Sequence, residues 1–386
     1  MTPGQRDYTV RCTACAATAP YPAYRCAGCG APLVLDLAPL APGQHRPGAG
    51  TGVWRYAGML PRTGHAVSLG EGGTPLVPLS LGPSAVYAKL ESLNPSLSFK
   101  DRAMAVATSA ALDLGIEGLV LASTGNAAVS AATYAAAAGL RCRVFCATGS
   151  GARDKLDVAR AHGADIEVVE GHYSDAYRHA TRAEQTGWLN VTTTYRNPLL
   201  AEAYRPLAAE LAVQLGGAPD VVVVPIGAGP LLHGVLRGFQ DLYTAGATTS
   251  IPKMVGVQAA ACAPLARAWR STDWRAALSR PVDVAPTAAA AIADALHGYT
   301  DEGLLTLHAV RDSGGTILDV DEAAIAAAHH ELAHRGLLVE PAAATALAAL
   351  ATPAGAALTG AGPATRVVLL LTGHGAKEPH RAGERP

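Results

Sequence analysis

The chain predicts an α/β fold with two parallel-sheet domains and a small N-terminal cysteine segment, on three observations. From about residue 100, short apolar runs alternate with helical patterns. A second such series begins at PDVVVVP, residues 219–225. Ahead of both stands CxxC-x10-CxxC, formed by Cys12, Cys15, Cys26 and Cys29. Strand–helix alternation at this pitch implies right-handed crossovers and parallel strands.

The first series predicts strands at GLVLA (118–122), CRVFC (142–146) and DIEVVE (165–170). Helices are expected over about 127–138, 152–162 and 173–185. The second series continues through a helix at about 231–243 and KMVGVQ (253–258), and ends with RVVLLLTG (366–373). The charge-free run 341–365 could span a bilayer by length, but Pro353 and its many Ala, Thr and Gly residues favour a buried helix, a turn and a further segment. No apolar segment opens the chain, so no signal peptide is expected and the protein is placed in the cytoplasm.

Composition narrows the function. Apolar residues make up 49% and charged residues 16%, which suits a packed globule. A formal charge of −1 supplies no field for nucleic acid or an anionic membrane, and neither partner is expected. In the ribbon, Arg6, Arg11 and Arg25 against Asp7 leave only a small positive excess. The four ribbon cysteines can close a tetrahedral zinc site, the alternative being four reduced thiols. Such a metal would stabilise folding and stay remote from the chemistry. Cys142, Cys146 and Cys262 have apolar neighbours and read as core.

Three loops fall at strand C-termini, where open α/β sheets bind ligands. They are Ser123-Thr124-Gly125-Asn126, Gly227-Ala228-Gly229-Pro230 and Thr372-Gly373-His374-Gly375. In the second, Pro230 suits the first helical position, while the amides of Gly227, Ala228, Gly229 and Leu231 can face a phosphate. An ordinary tight turn has the same signature. Lys100 lies in SLSFKDR, where a loop becomes a helix. A solvated surface lysine is the simplest reading of it alone. Packing on Phe99 and loss of water would instead lower its pKa and free the amine for a carbonyl. A lysine, a phosphate-type loop and a hydroxyl-bearing strand end together suit pyridoxal phosphate.

SLGEGGTPLV (68–77), KLESLNPSLSFKDR (89–102), STGNAAVSAA (123–132) and PIGAGPLLHG (225–234) occur in order. VGVQAAACAPL (255–265), VEPAAATALA (339–348) and LLTGHGAKEP (370–379) follow. Together they resemble the threonine synthase family of fold type II, tryptophan-synthase-β-like pyridoxal phosphate enzymes. The resemblance implies an elimination or replacement lyase, converting O-phosphohomoserine to threonine or acting on a related amino acid. The alternatives are an ammonia-lyase or a β- or γ-replacement enzyme of cysteate-synthase type. From another class comes a non-catalytic cofactor-binding or zinc-ribbon interaction protein.

By the same resemblance, Lys100 is the catalytic, Schiff-base lysine. Phe99, Asn126, Gly227, Ala228, Gly229, Leu231 and Thr372 hold the cofactor. Thr74, Ser98, Ser123, Thr124, Gly125, Arg196 and Arg205 bind substrate. Residues 1–40 form the cysteine segment, 41–95 with 205–380 the large cofactor domain, 96–204 the small domain and 381–386 a tail; a homodimer is expected. Two departures stand out. Leu97 replaces a glycine usual in the family, and Leu200 an arginine that helps hold the substrate phosphate. Phosphohomoserine is therefore expected to be a poor substrate unless Arg196 or Arg205 supplies the missing cation.

Overall fold

The computed structural model describes residues 8–41, 43–81, 84–148, 153–171, 173–184, 187–359 and 364–378. The expected tail at 381–386, with Arg6, Asp7 and the rest of the first seven residues, lies outside them, as do Ala152 and Gln185 at two expected helix ends.

In chain order the ribbon contributes β1 (Thr9–Cys12), β2 (Thr18–Pro20) and β3 (Leu33–Leu35), an antiparallel sheet of order β2-β1-β3. Next come β4 (Leu76–Leu79) and β5 (Ala85–Lys89), then α1 (Lys100–Asp113). A first alternating run follows as β6 (Gly118–Ala122), α2 (Asn126–Ala137), β7 (Arg141–Ala147), α3 (Arg153–Ala161), β8 (Asp165–Val169), α4 (Tyr173–Ala183) and β9 (Leu189–Asn190). Two helices, α5 (Pro198–Glu202) and α6 (Pro206–Leu215), lead into β10 (Val221–Pro225), α7 (Pro230–Thr244) and β11 (Lys253–Ala259). The remainder is α8 (Pro264–Trp269), α9 (Trp274–Ser279), α10 (Gly303–Asp312), β12 (Thr316–Val320), α11 (Glu322–His334), α12 (Pro341–Leu350), α13 (Pro353–Thr359) and β13 (Arg366–Leu370).

These strands make two sheets. One has order β8-β7-β6-β9 and is parallel throughout; the other has order β12-β11-β10-β13-β5-β4, with only β4 antiparallel. Their central strands are apolar on both faces because helices cover both, as in GLVLA of β6 and VVVVP of β10, every residue of which is buried. Small residues let the covering helices close in. A methyl at Gly234 would meet the Ala201 carbonyl oxygen at 2.1 Å, which fixes α7 against α5. The described part of the run 341–365 forms α12, a break before Pro353 and α13, and residues 360–363 lie outside the described residues. Among the described residues, no helix is long and apolar enough to cross a membrane.

A buried ion cluster joins the lysine-bearing helix to the large sheet. Arg102, wholly buried, donates to Glu91 and Glu210 at 2.7 Å each, and Lys89 donates to Glu210 at 2.7 Å. Lone buried charges of this kind would be costly; mutual pairing keeps all four ionised. Thr74 belongs to this cluster, its hydroxyl donating to Glu91 at 2.6 Å.

The ribbon packs against the rest of the chain. The thiols of Cys12, Cys15, Cys26 and Cys29 all lie within 4.8 Å of one another, and the amides of Ala14 and Cys15 donate to the Cys12 Sγ at 3.4 Å. Tyr21 donates to Asn197 Oδ1 at 3.1 Å, and Tyr24 accepts the Asn190 amide at 2.9 Å. Arg25 reaches Asp301 at 2.6 Å and Glu302 at 2.8 Å. Cys142, Cys146 and Cys262 are buried core residues.

Candidate active site

A cavity of about 420 Å³ opens between the two sheets at the C-terminal ends of their strands. It gathers Phe99, Lys100, the loop 123–126, the loop 227–231, Glu340 and Thr372. These come from three strand ends and two helix starts, so tertiary structure alone brings them together.

Lys100 is the first residue of α1, at the end of the turn Ser96–Phe99. Leu97 within that turn has φ 62°, a left-handed conformation that costs a branched residue about 1–2 kcal/mol and a glycine almost nothing. The turn is sewn to the far side of the cavity. The Phe99 amide donates to the Thr372 carbonyl at 3.1 Å, and isolated β-bridges join Ser98 to Gly373 and Val339 to His374. The Lys100 amine donates to Thr193 Oγ1 at 2.9 Å and lies 4.5 Å from the centre of the Phe99 ring. Burial brings its pKa down to about 7, against a smaller upward pull from Asp294. Near neutrality a large fraction of the amine is therefore unprotonated.

The glycine loop fits a phosphate. Gly229 has φ 104°, and a methyl there would come within 2.3 Å of Thr306 Oγ1. Thr306 donates to the Ala228 carbonyl at 2.5 Å, and Gln258 to the Gly227 carbonyl at 3.3 Å. With its carbonyls held from behind, the loop leaves the amides of Gly227, Ala228, Gly229 and Leu231 without acceptors among the described residues, at the N-terminus of α7.

Asn126 Nδ2 donates to Glu340 Oε2 at 2.7 Å, while its buried Oδ1 has no partner. Glu340 is balanced by Lys155 at 3.1 Å and Lys377 at 3.9 Å. Ser123 Oγ accepts from the amides of Gly125 and Ala128 at 3.1 and 3.2 Å, holding the loop's shape ahead of α2. An orphaned amide oxygen, a glycine cradle and a neutral amine facing one cavity are the donor set that a phosphorylated, ring-hydroxylated aldehyde requires. These residues fit pyridoxal phosphate.

Four residues expected to bind substrate lie elsewhere. Thr74 is turned away from the cavity, its hydroxyl held by Glu91. Ser98 is fully buried with its Oγ unpartnered, and does not line the cavity. Arg196 pairs with Glu184 and stacks over Tyr24 at 5.4 Å. Arg205 is held by Asp241 and Glu202, and lines a separate groove of about 730 Å³ beside the ribbon, with Tyr8, Asp36 and Arg62. Both guanidiniums are neutralised by acids outside the cavity, so neither replaces the arginine expected at Leu200, which is itself core. Conversely, Thr193, Asp294, Thr306 and Glu340 went unread. Glu340 falls within the quoted VEPAAATALA; the others stand in no motif.

Comparison with known proteins agrees with this cofactor. The family described as "Pyridoxal-phosphate dependent enzyme" matches residues 67–373. A threonine synthase of Methanosarcina acetivorans is 35% identical over 337 residues, covering 85% of this chain and 80% of that one. A threonine synthase of Mycobacterium tuberculosis is 34% identical over 322 residues, covering 82% and 85%. Among solved structures, threonine deaminase isoform 2 of Solanum lycopersicum superposes with a TM-score of 0.65 at 20% identity, covering 88% of this chain and 89% of that one. The L-serine ammonia-lyase of Rhizomucor miehei gives 0.64 at 20%, covering 78% and 94%. At such identities the structural likeness speaks for the fold alone.

Proposed function

From the premise that the chain belongs to the pyridoxal-phosphate-dependent enzymes, as a lyase related to the threonine synthases, we propose that it eliminates or replaces a side-chain group of a free amino acid. The observation that carries this reading is the Lys100 amine, held by Thr193 and brought by burial to a pKa of about 7, in one cavity with Asn126 and the glycine loop.

In this reading Gly227, Ala228, Gly229 and Leu231 take the cofactor phosphate, Asn126 its ring hydroxyl and Thr372 its ring nitrogen. When bound, the cofactor withdraws electrons from the substrate's α-carbon. A neutral hydroxyl at Thr372 makes that withdrawal milder than a carboxylate would, which suits elimination and replacement. Ser123, Thr124 and Gly125 orient the substrate carboxylate at the N-terminus of α2. Lys100 carries protons to and from the substrate, with Thr193 fixing its amine between uses. Phe99, packed on Tyr204 with ring centres 5.4 Å apart, keeps water from that amine. Cys12, Cys15, Cys26 and Cys29 hold one zinc ion, and the enzyme works as a homodimer in the cytoplasm.

Borohydride treatment should fix the cofactor to the peptide carrying Lys100, and wild-type enzyme should turn over at least one amino acid of a broad panel. Equal labelling of the Lys100→Ala variant would refute the assignment. Full labelling without any turnover would favour a binding protein.

A further inference from the structure

We propose that Asp294 sets the substrate's side-chain chemistry, selecting an amino acid whose side chain carries a neutral or cationic hydrogen-bond donor and disfavouring a phosphate ester. This rests on the reading of the cavity as a pyridoxal phosphate lyase site and adds a substrate class to it.

Charge inside the cavity is the first observation. Among the described residues lining it, Lys100 is the one basic side chain, and that amine is committed to the cofactor. Arg196 and Arg205 are neutralised outside it by Glu184, Glu202 and Asp241. Lys155 and Lys377 are spent on Glu340 and Glu378 behind the wall. Among the described residues, no cation remains in the cavity to receive a dianionic phosphate beyond the one bound by the glycine loop.

The second observation is the placement of Asp294. It lies on the stretch 290–294 that walls the cavity, with its Cβ 3.2 Å from where a methyl on Gly227 would stand. One oxygen, Oδ1, is fixed by Tyr299 at 2.7 Å and the Leu296 amide at 2.9 Å. No donor among the described residues reaches Oδ2. The Lys100 amine, Tyr173, another lining residue, and exposed His297 are its remaining polar neighbours, and the amine is committed to the cofactor. A carboxyl group anchored through one oxygen, with the other free, is an acceptor in search of a donor. An ammonium or hydroxyl on the substrate satisfies it; a fully ionised phosphate offers no donor and leaves it unpaired.

The test uses the cofactor-loaded enzyme with two sets of amino acids. Serine, threonine, homoserine, 2,3-diaminopropionate and 2,4-diaminobutyrate carry donors; O-phosphoserine and O-phosphohomoserine carry phosphate. Wild type should prefer a donor-bearing substrate over the phosphorylated one of equal chain length by about a hundredfold in kcat/KM, or in Kd read from the cofactor absorbance. Asp294→Asn should cut that preference about tenfold, mainly through KM, while borohydride labelling of Lys100 persists. Asp294→Ala should cut it further. A wild-type preference for the phosphorylated set would overturn the proposal, and this comparison decides even if neither variant folds. An unchanged ratio in both variants would overturn it too. If Lys100 takes no label and no amino acid binds, the lyase reading fails and the proposal falls with it.

Discussion

Arg25 of the cysteine ribbon donates to one oxygen of Glu302 at 2.8 Å, and the other oxygen of that carboxyl accepts the Tyr195 amide at 2.8 Å. From Tyr195 the chain of contacts continues through its hydroxyl to Thr306 at 2.7 Å, and from Thr306 to the Ala228 carbonyl in the glycine loop. Arg25 of the ribbon thus stands three side chains from the glycine loop. Removing the guanidinium strands a buried acid, so Arg25→Ala should lower stability by roughly 2–4 kcal/mol, a little below the range for fully buried pairs. Urea denaturation of the two proteins compares them directly.

Glu302 also predicts a pH dependence. Burial pushes its pKa up to about 7, with Arg25 pulling the other way. Between the ordinary carboxyl value and about 7 the folded chain binds more protons there than the unfolded chain, so this group's share of stability falls as pH rises. Asp101, also raised, acts in the same direction over a narrower range. Subtracting the melting profile of Glu302→Gln from that of wild type isolates the Glu302 share. Wild type's stability relative to the variant should fall from pH 5 towards about 7 and then level off; a flat difference would contradict the burial argument.

Lys100 sets the loading of the cofactor. With an amine pKa of about 7, apoenzyme should take up pyridoxal phosphate at a rate that rises with pH and bends near 7, well below an ordinary lysine. Stopped-flow absorbance across pH 5.5 to 9.5 measures the bend. Thr193→Val removes the hydroxyl that accepts from the amine and should slow loading without unfolding the chain.

Gly229→Ala should cripple cofactor binding. The substitution forces a methyl into φ 104° and within 2.3 Å of Thr306 Oγ1. Backbone strain alone is worth about 1–2 kcal/mol, and the clash pushes Thr306 off the Ala228 carbonyl. Cofactor Kd should rise about five- to thirtyfold on that strain alone, as equilibrium dialysis would show, with Ala228→Gly much closer to wild type.

Zinc analysis of protein purified without chelator should find one ion per chain, and Cys15→Ser should lose it. Metal loss should lower thermal stability, because the short ribbon has little core of its own. It should also expose Glu302, so the metal-free protein should lose part of the pH signature assigned above.

The chain's strands were most legible where a sheet is buried on both faces, although the largely exposed edge strand β8 was legible too. GLVLA at 118–122 and the four valines from 221 to 224 announce themselves because nothing polar interrupts them. By contrast β12 (TILDV) is half exposed at a sheet edge, and β4 (LVPL) carries a proline in the antiparallel edge strand, so neither stands out. Site residues followed the same division. Lys100, Asn126 and the glycine loop sit in motifs whose local geometry demands them. Thr193, 93 residues from Lys100, and Thr306, 78 from Ala228, act only through long-range contact. Arg196 and Arg205 misled for the converse reason: nearness to Leu200 in sequence says nothing about acids that arrive from Glu184 and Asp241.

The β-bridge between Ser98 and Gly373 has a mechanical corollary. The turn before Lys100 is fastened to the end of the large sheet, whereas the helix after it packs on α2 beside the small sheet. Lys100 therefore occupies a pivot. If the small sheet swings to shut the cavity, the spacing of Lys100 and Thr372 stays constant while Ser123 and Thr124 travel. The reactive amine would keep its register with the cofactor through every cycle of opening, and only the groups that grip the substrate would change position.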